Sequence, residues 1–130
     1  VLHDALTGKV IGVAYTVFNE LGSGFLESVY EKAMKYELLA AGHEVMTQHP
    51  ITVLYRGQVV GEFFADLFID GRVIVELKAV RSLQPVHEAQ LVNYLKATGV
   101  DVGILLNFAD TKVEVRRKLR VLPEAEPPGF

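Results

Sequence analysis

A chain of 130 residues, half of them hydrophobic, has the size of one domain with a single sizeable core and little room for a second. Its formal charge of −3 excludes the broad positive field of a general nucleic-acid binder, so any nucleic-acid contact must be local. The absence of cysteine removes disulfides, thiolate nucleophiles and cysteine-based zinc sites, and fits a reducing compartment, the cytoplasm by default.

The chain begins at Val1, which leaves room for residues before it. The apolar segment Val10 to Phe18 is too short for a membrane span and lacks a signal-peptide cleavage pattern. Val10, Val13, Ala14, Val17, Phe18 and Leu21 recur at helical steps with Gly22 as a stop, which predicts a core-facing helix. After "GSG", Leu26, Val29, Tyr30, Ala33, Met34 and Leu38 predict a second helix ending near Gly42, and so a helical hairpin.

From Glu44 the texture turns to β-branched and aromatic runs. "HEVMTQ", "ITVLY", "VVGEFFADLFI" and "RVIVELKAV", separated by Pro50, "RGQ" and "DG", predict four strands in a meander. "PVHEAQLVNYLKATG" reads as a helix from Pro85 to Gly99, followed by strands "DVGILLNF" and "KVEVRRKLRVL". "VIVEL" and "VGILL" are apolar on both faces, as central strands covered by helices on each side would be. The expected fold is a three-layer α/β sandwich around a mixed sheet, one domain over residues 1–122, with a frayed proline-rich tail at 123–130.

Two of these apolar strands carry charges. Side-chain alternation puts Glu76 and Lys78 on one face of their strand, with Val75 and Leu77 on the other. The "DG" turn at Asp70 and Gly71 folds the preceding strand back so that Asp66 can lie across from Glu76. Two carboxylates converging there suit a hard cation such as magnesium or manganese, which would polarise a phosphodiester and lower the pKa of a bound water. Lys78 would then orient the nucleophile or offset transition-state charge. An Asp/Glu/Lys network that only fixes strand register accounts for the pattern equally well, and spacing does not choose between them.

Asp66, nine intervening residues and "ELK" at Glu76 to Lys78 resemble the PD-(D/E)XK nuclease signature, with Ala65 where that name has proline. "GFLESVY", Gly24 to Tyr30, is similar to the GxxExxY pattern of one branch of that superfamily, and "VELKAV", "HEAQLVNYL" and "GILLNF" resemble its later blocks in the same order. The resemblance runs from about Gly8 to Arg120. It implies a restriction-endonuclease-like fold and a Mg- or Mn-dependent hydrolase of DNA phosphodiester bonds. The metal ligands it implies are Asp66, Glu76 and the carbonyl of Leu77, with Glu27 reaching the metal directly or through water, and Lys78 is the catalytic lysine. "QLVNY", Gln90 to Tyr94, is similar to a glutamine-tyrosine helix motif that borders the active site and touches DNA in related exonucleases.

Helical spacing agrees that Glu27 and Tyr30 share a face, as do Gln90 and Tyr94. For Tyr30 and Tyr94 core packing with a satisfied hydroxyl is the competing reading. His87, in the first turn of its helix, is left out of the site. The basic stretch "KVEVRRKLR" puts Lys112, Arg116, Lys118 and Arg120 on one strand face with Glu114, and Val113, Val115 and Leu119 inward. That face could grip phosphates, or it could protect a sheet edge from aggregation. The rival to a nuclease is a catalytically silent nucleic-acid- or protein-binding module that keeps the fold. The small size also suits a homodimer or a subunit of a larger complex, which would add surface for gripping a duplex.

Overall fold

The computed structural model describes residues 2–120, so the expected tail at 123–130 lies outside the described residues. The elements are α1 (Asp4–Leu21), α2 (Glu27–Ala40), β1 (Val45–Tyr55), β2 (Gln58–Ile69), β3 (Val73–Lys78), α3 (Pro85–Thr98), β4 (Val102–Phe108) and β5 (Val113–Leu119). The strands form one five-stranded sheet in the order β1-β2-β3-β4-β5. All neighbours are antiparallel except β3 and β4, which run parallel and are joined through α3. Among the described residues no helix is long and apolar enough to cross a membrane.

The sequence accounts for the layers. The apolar stripe of α1 and Tyr30, Met34 and Leu38 of α2 bury one sheet face, formed by Leu67, Val75, Leu77, Ile104 and Leu106 among others. Leu91, Tyr94 and Leu95 of α3 cover the opposite face against Ile51, Ile74 and Leu105. Buried on both faces, β3 and β4 read as continuous apolar runs. The expected three-layer α/β sandwich around a mixed sheet therefore forms.

One expectation is corrected. The break at Pro50 predicted two strands, but the chain runs through it as a single β1, giving a three-stranded meander and five strands in all. Strand β1 is at the sheet edge, where a residue without an N–H group is tolerated because one row of donors has no neighbouring strand. One irregularity is two residues earlier, and a register shift follows between Val53 and Leu54. Gln48 adopts a left-handed backbone (φ 50°), and Thr47↔Leu67 and His49↔Ala65 flank an unpaired Gln48 and Asp66. Across this point the hairpin changes face: Val45, Leu67 and Ile69 pack under α1 and α2, whereas Ile51 and Ala65 pack under α3. Farther out, the β1–β2 hairpin becomes an arm with Leu54, Tyr55, Val59 and Val60 exposed, and its tip turns at Arg56 and Gly57, both at positive φ as a tight two-residue hairpin requires.

A second expectation fails at the opposite edge. Leu119 is 37% exposed rather than inward. Val113 and Val115 pack against the core, but the next position on that face is Arg117, whose guanidinium donates to the Leu2 carbonyl and pairs with Asp4 at the start of α1. Leu119 falls beyond the helix that would have covered it.

Packing between α3 and the sheet depends on a missing side chain. A Cβ at Gly103 would lie 2.7 Å from Leu91 Cδ1 and 3.1 Å from its Cγ, inside contact distance of a fully buried leucine. Gly103→Ala should therefore lower unfolding stability by about 1–3 kcal/mol, the usual range for overpacking a filled core, and denaturant titration would measure it.

Candidate active site

The β2–β3 ladder ends at Leu67↔Val75, one residue pair short of Asp66 and Glu76. Beyond it the strands fork, and the next backbone donors turn to side chains. The Asp66 N–H donates to Glu76 Oε2 (2.9 Å), and the Leu77 N–H donates to Asp66 Oδ2 (2.8 Å). The two acids thus close the fork by exchanging places with the missing ladder bonds. Asp66 Oδ1 takes a longer bond of 3.3 Å from Gln48 Nε2.

Glu76 is 6% exposed and faces α3 with Ile74 and Lys78. Burial, and then the charge of Asp66, push its carboxyl up to about 8, against the weaker opposing effects of the Asp66 N–H and Lys78. Glu27, exposed at the start of α2, adds a smaller push in the same direction. Sequence reasoning missed two further groups. Gln48 donates through Nε2 to Glu31 Oε1 (2.7 Å) as well as to Asp66, and Glu31 is held above the usual carboxylate range by burial. The signal for Glu31 was present, since it lies four residues after Glu27 on the same helical face. Nothing in "TQHP" announced the left-handed turn that aims Gln48 at both acids.

Helix α3 closes the other side. Tyr94 is buried, and its hydroxyl is pushed above the usual range by burial and by the charges of Glu76 and Asp66, so it stands within their electrostatic reach. Gln90, one turn earlier, is half-buried, and among the described residues no hydrogen bond joins it to the carboxylates. His87 accepts the Gln84 N–H at the helix start, which makes it a cap. Lys78 ends β3 opposite Asn107 of β4. Fully buried Asn107 then pins the loop after Lys78: its amide donates to the Val80 carbonyl and to Glu114 Oε1, and its oxygen accepts the Val80 N–H. Glu114 also accepts the Leu83 N–H.

Other residues marked in the sequence lie elsewhere. Tyr30 is fully buried, stacked on Phe108 at 4.2 Å, and its hydroxyl donates to the Gly22 carbonyl, so it packs the core and does not face a substrate. Strand β5 is the sheet edge, and its cations are engaged. Lys118 pairs with Glu88 at 2.6 Å, Arg116 lies 4.0 Å from the same carboxylate, and Arg120 pairs with Asp101 at 2.9 Å. A phosphate would have to compete for each, and the geometry matches the edge-protection alternative.

Among the described residues no three Asp, Glu or His side chains gather closely enough to hold a metal unaided. The donor set nevertheless fits a hard divalent cation, which takes one or two carboxylates and completes its shell with water and substrate oxygens. Asp66 and Glu76 each commit one oxygen to a short backbone bond; the second oxygen of Asp66 carries only the longer bond from Gln48, and among the described residues no hydrogen bond engages the second oxygen of Glu76.

A carboxyl raised from 4.5 to about 8 has a defined linkage. The folded protein binds a proton at Glu76 that the unfolded chain has lost, so this contribution is full below about pH 4.5 and disappears as pH rises through about 8. Without added metal, wild-type stability should fall across that window, and Glu76→Gln, permanently neutral, should remove this slope and be the more stable protein at the alkaline end. Denaturant titrations at several pH values would decide. Parallel pH profiles for the two proteins would place the Glu76 carboxyl in the ordinary range.

A family model described as the PD-(D/E)XK nuclease superfamily matches residues 4–118, nearly the whole described chain. No curated protein sequence matches. Among solved structures, the crystal structure of SSO0001 superposes with a TM-score of 0.55 at 19% identity, covering 74% of this chain. The chain spans about half, 51%, of the length of that one, and the likeness is one of fold. The mixed five-stranded sheet with its three helices is consistent with the restriction-endonuclease-like architecture. With the family model matched from end to end of the sheet, and Asp66, Glu76 and Lys78 set around one fork of it, the chain belongs to the PD-(D/E)XK nuclease superfamily.

Proposed function

We propose that this protein is a divalent-metal-dependent nuclease that hydrolyses DNA phosphodiester bonds, of the GxxExxY branch, with residues 1–122 as one catalytic unit. The observation that carries this reading is the fork, where Asp66 and Glu76 converge at the point the ladder is abandoned, with Lys78 two residues on. Asp66, Glu76 and the Leu77 carbonyl would hold magnesium or manganese, with Glu27 at longer range. Bound there, such an ion would polarise the scissile phosphate and acidify a water.

The protein's own groups have separable tasks. Glu76 must give up its proton before it can serve as an anionic ligand, so affinity for the ion should rise with pH through about 8. Lys78, on the same strand face as Glu76, brings a positive charge to the pentacovalent phosphorane or to the attacking oxygen. Asn107 fixes the chain just past Lys78 and limits the wandering of that charge. Gln90 and Tyr94 would border the substrate, Gln90 positioning it without supplying charge.

A second reading has its own observation. Both carboxylates are hydrogen-bonded to backbone N–H groups, as a purely structural pair would be, which suits a silent binding module. Manganese-supported cleavage of single-stranded, duplex and branched DNA separates the two. Asp66→Ala should lose manganese binding in calorimetry. Lys78→Met should keep manganese and DNA binding but lose a hundredfold or more in turnover, as expected for a group that acts chiefly on the transition state. A wild type inactive on every substrate would leave the binding module, and a Lys78→Met protein as active as wild type would remove Lys78 from the chemistry.

A further inference from the structure

Behind Tyr94 from the carboxylates, the hairpin arm and α3 line a cavity of about 750 Å3 that is open to solvent. Thr52 and Phe63 line it from the arm, and Gln90, Asn93, Tyr94 and Lys96 line it from the helix. The Phe63 and Tyr94 rings lie 5.6 Å apart and tilted by 38°, with Phe63 43% exposed. Among the described residues no carboxylate lines this space, and Lys96 is the one charged group that does, in a chain whose net charge is −3.

Three features define the occupant. Aromatic walls suit flat π-systems, and the neutral amides of Gln90 and Asn93 can meet the donors and acceptors of a base edge, which a lipid chain would leave unsatisfied. The lone cation, with no carboxylate among the lining residues, suits a phosphate. The volume falls in the range of about 300–1,000 Å3 that takes a compact ligand, too small for a duplex, whose base faces are in any case hidden in the stack. Position adds to chemistry, because Tyr94 is at once a wall of the cavity and a neighbour of Glu76 and Asp66. A strand seated here would lead its backbone toward the fork.

We propose that this cavity binds the unpaired bases of single-stranded DNA, stacked on Phe63, which the buried Tyr94 ring backs, with Lys96 toward the backbone. The proposal rests on the nuclease reading for its orientation toward the fork, and it makes the exposed arm the element that selects single strands or unwound ends over duplex.

The test uses the full chain carrying Lys78→Met, so that bound DNA persists. Fluorescence anisotropy would compare a labelled oligothymidylate of about 12 nucleotides, within the usual site sizes for single strands, with a blunt hairpin duplex of equal length. The single strand should bind more tightly. Phe63→Ala should weaken it by about 5- to 150-fold, the usual loss for one stacked base, while leaving duplex binding unchanged, and Phe63→Tyr should restore it. Thermal melts should show Phe63→Ala folded, since that ring is 43% exposed and belongs to neither core cluster. Equal losses on both oligonucleotides, no loss on either, or no binding at all would overturn the proposal. The two readings fail separately. Cleavage by the Lys78 protein with single-strand binding indifferent to Phe63 leaves the nuclease and removes the cavity. Phe63-dependent binding without any cleavage leaves the cavity and removes the nuclease.

Discussion

The fork between β2 and β3 is held by an exchange of hydrogen bonds. Where the ladder stops, two backbone N–H groups would be left without partners in the middle of a sheet, and the carboxylates of Glu76 and Asp66 accept them. A bond from a peptide N–H to an ionised carboxylate is stronger than the peptide-peptide bond it replaces, and a neutral carboxyl still satisfies the donor. Opening the sheet at this point therefore leaves neither of these two backbone donors orphaned. It also fixes two acids side by side, each with an oxygen turned away from the backbone, without help from any loop.

The rest of the active face follows from keeping that fork open. Strand β2 cannot stay in register with β3 past Leu67, so the β1–β2 hairpin is free to turn over, and it does so at Gln48 and Asp66. The turn sends Ile51 and Ala65 under α3 and carries the outer hairpin away from the sheet as an arm. The same left-handed Gln48 that permits the turn ties Asp66 back to Glu31 on α2, so the acid at the fork is braced from β1, β3 and a helix at once. On the far side of β3 the Asn107 network fixes the loop leading to α3. The fork has a rigid wall on one side and an exposed arm on the other.

Much of this was legible because it obeys short-range rules. Alternation placed Glu76 with Lys78, the "DG" turn brought Asp66 across, and two runs apolar on both faces required a helix layer on each side. What was not legible depends on tertiary placement. Pro50 reads as a break because proline cannot donate to a ladder, and only the position of β1 at the sheet edge makes that harmless. Tyr30 shares a helix face with Glu27 by spacing, yet the helix enters the core between them, and one turn is enough to separate an exposed acid from a fully buried ring. The basic run at β5 left a phosphate track and edge protection both open, and the partners that engage it, Glu88 and Asp101, are not marked by any short-range pattern.

The raised Glu76 carboxyl reconciles the two readings that the sequence left open. At neutral pH without a cation, Glu76, its carboxyl raised to about 8, holds a proton and brings no charge of its own to the dry side of the fork. The pair is then a tolerable structural element, with an acid that accepts a backbone bond and costs little to bury while neutral. The same burial that keeps Glu76 neutral makes its ionised form unstable, and a divalent ion exchanging for that proton would relieve both the desolvation and the repulsion from Asp66. A register-fixing network and the proposed metal site would thus be two protonation states of one arrangement. On that proposal the fork is folded and stable in the first and chemically competent only in the second, so the acids need not weaken the sheet in order to serve it.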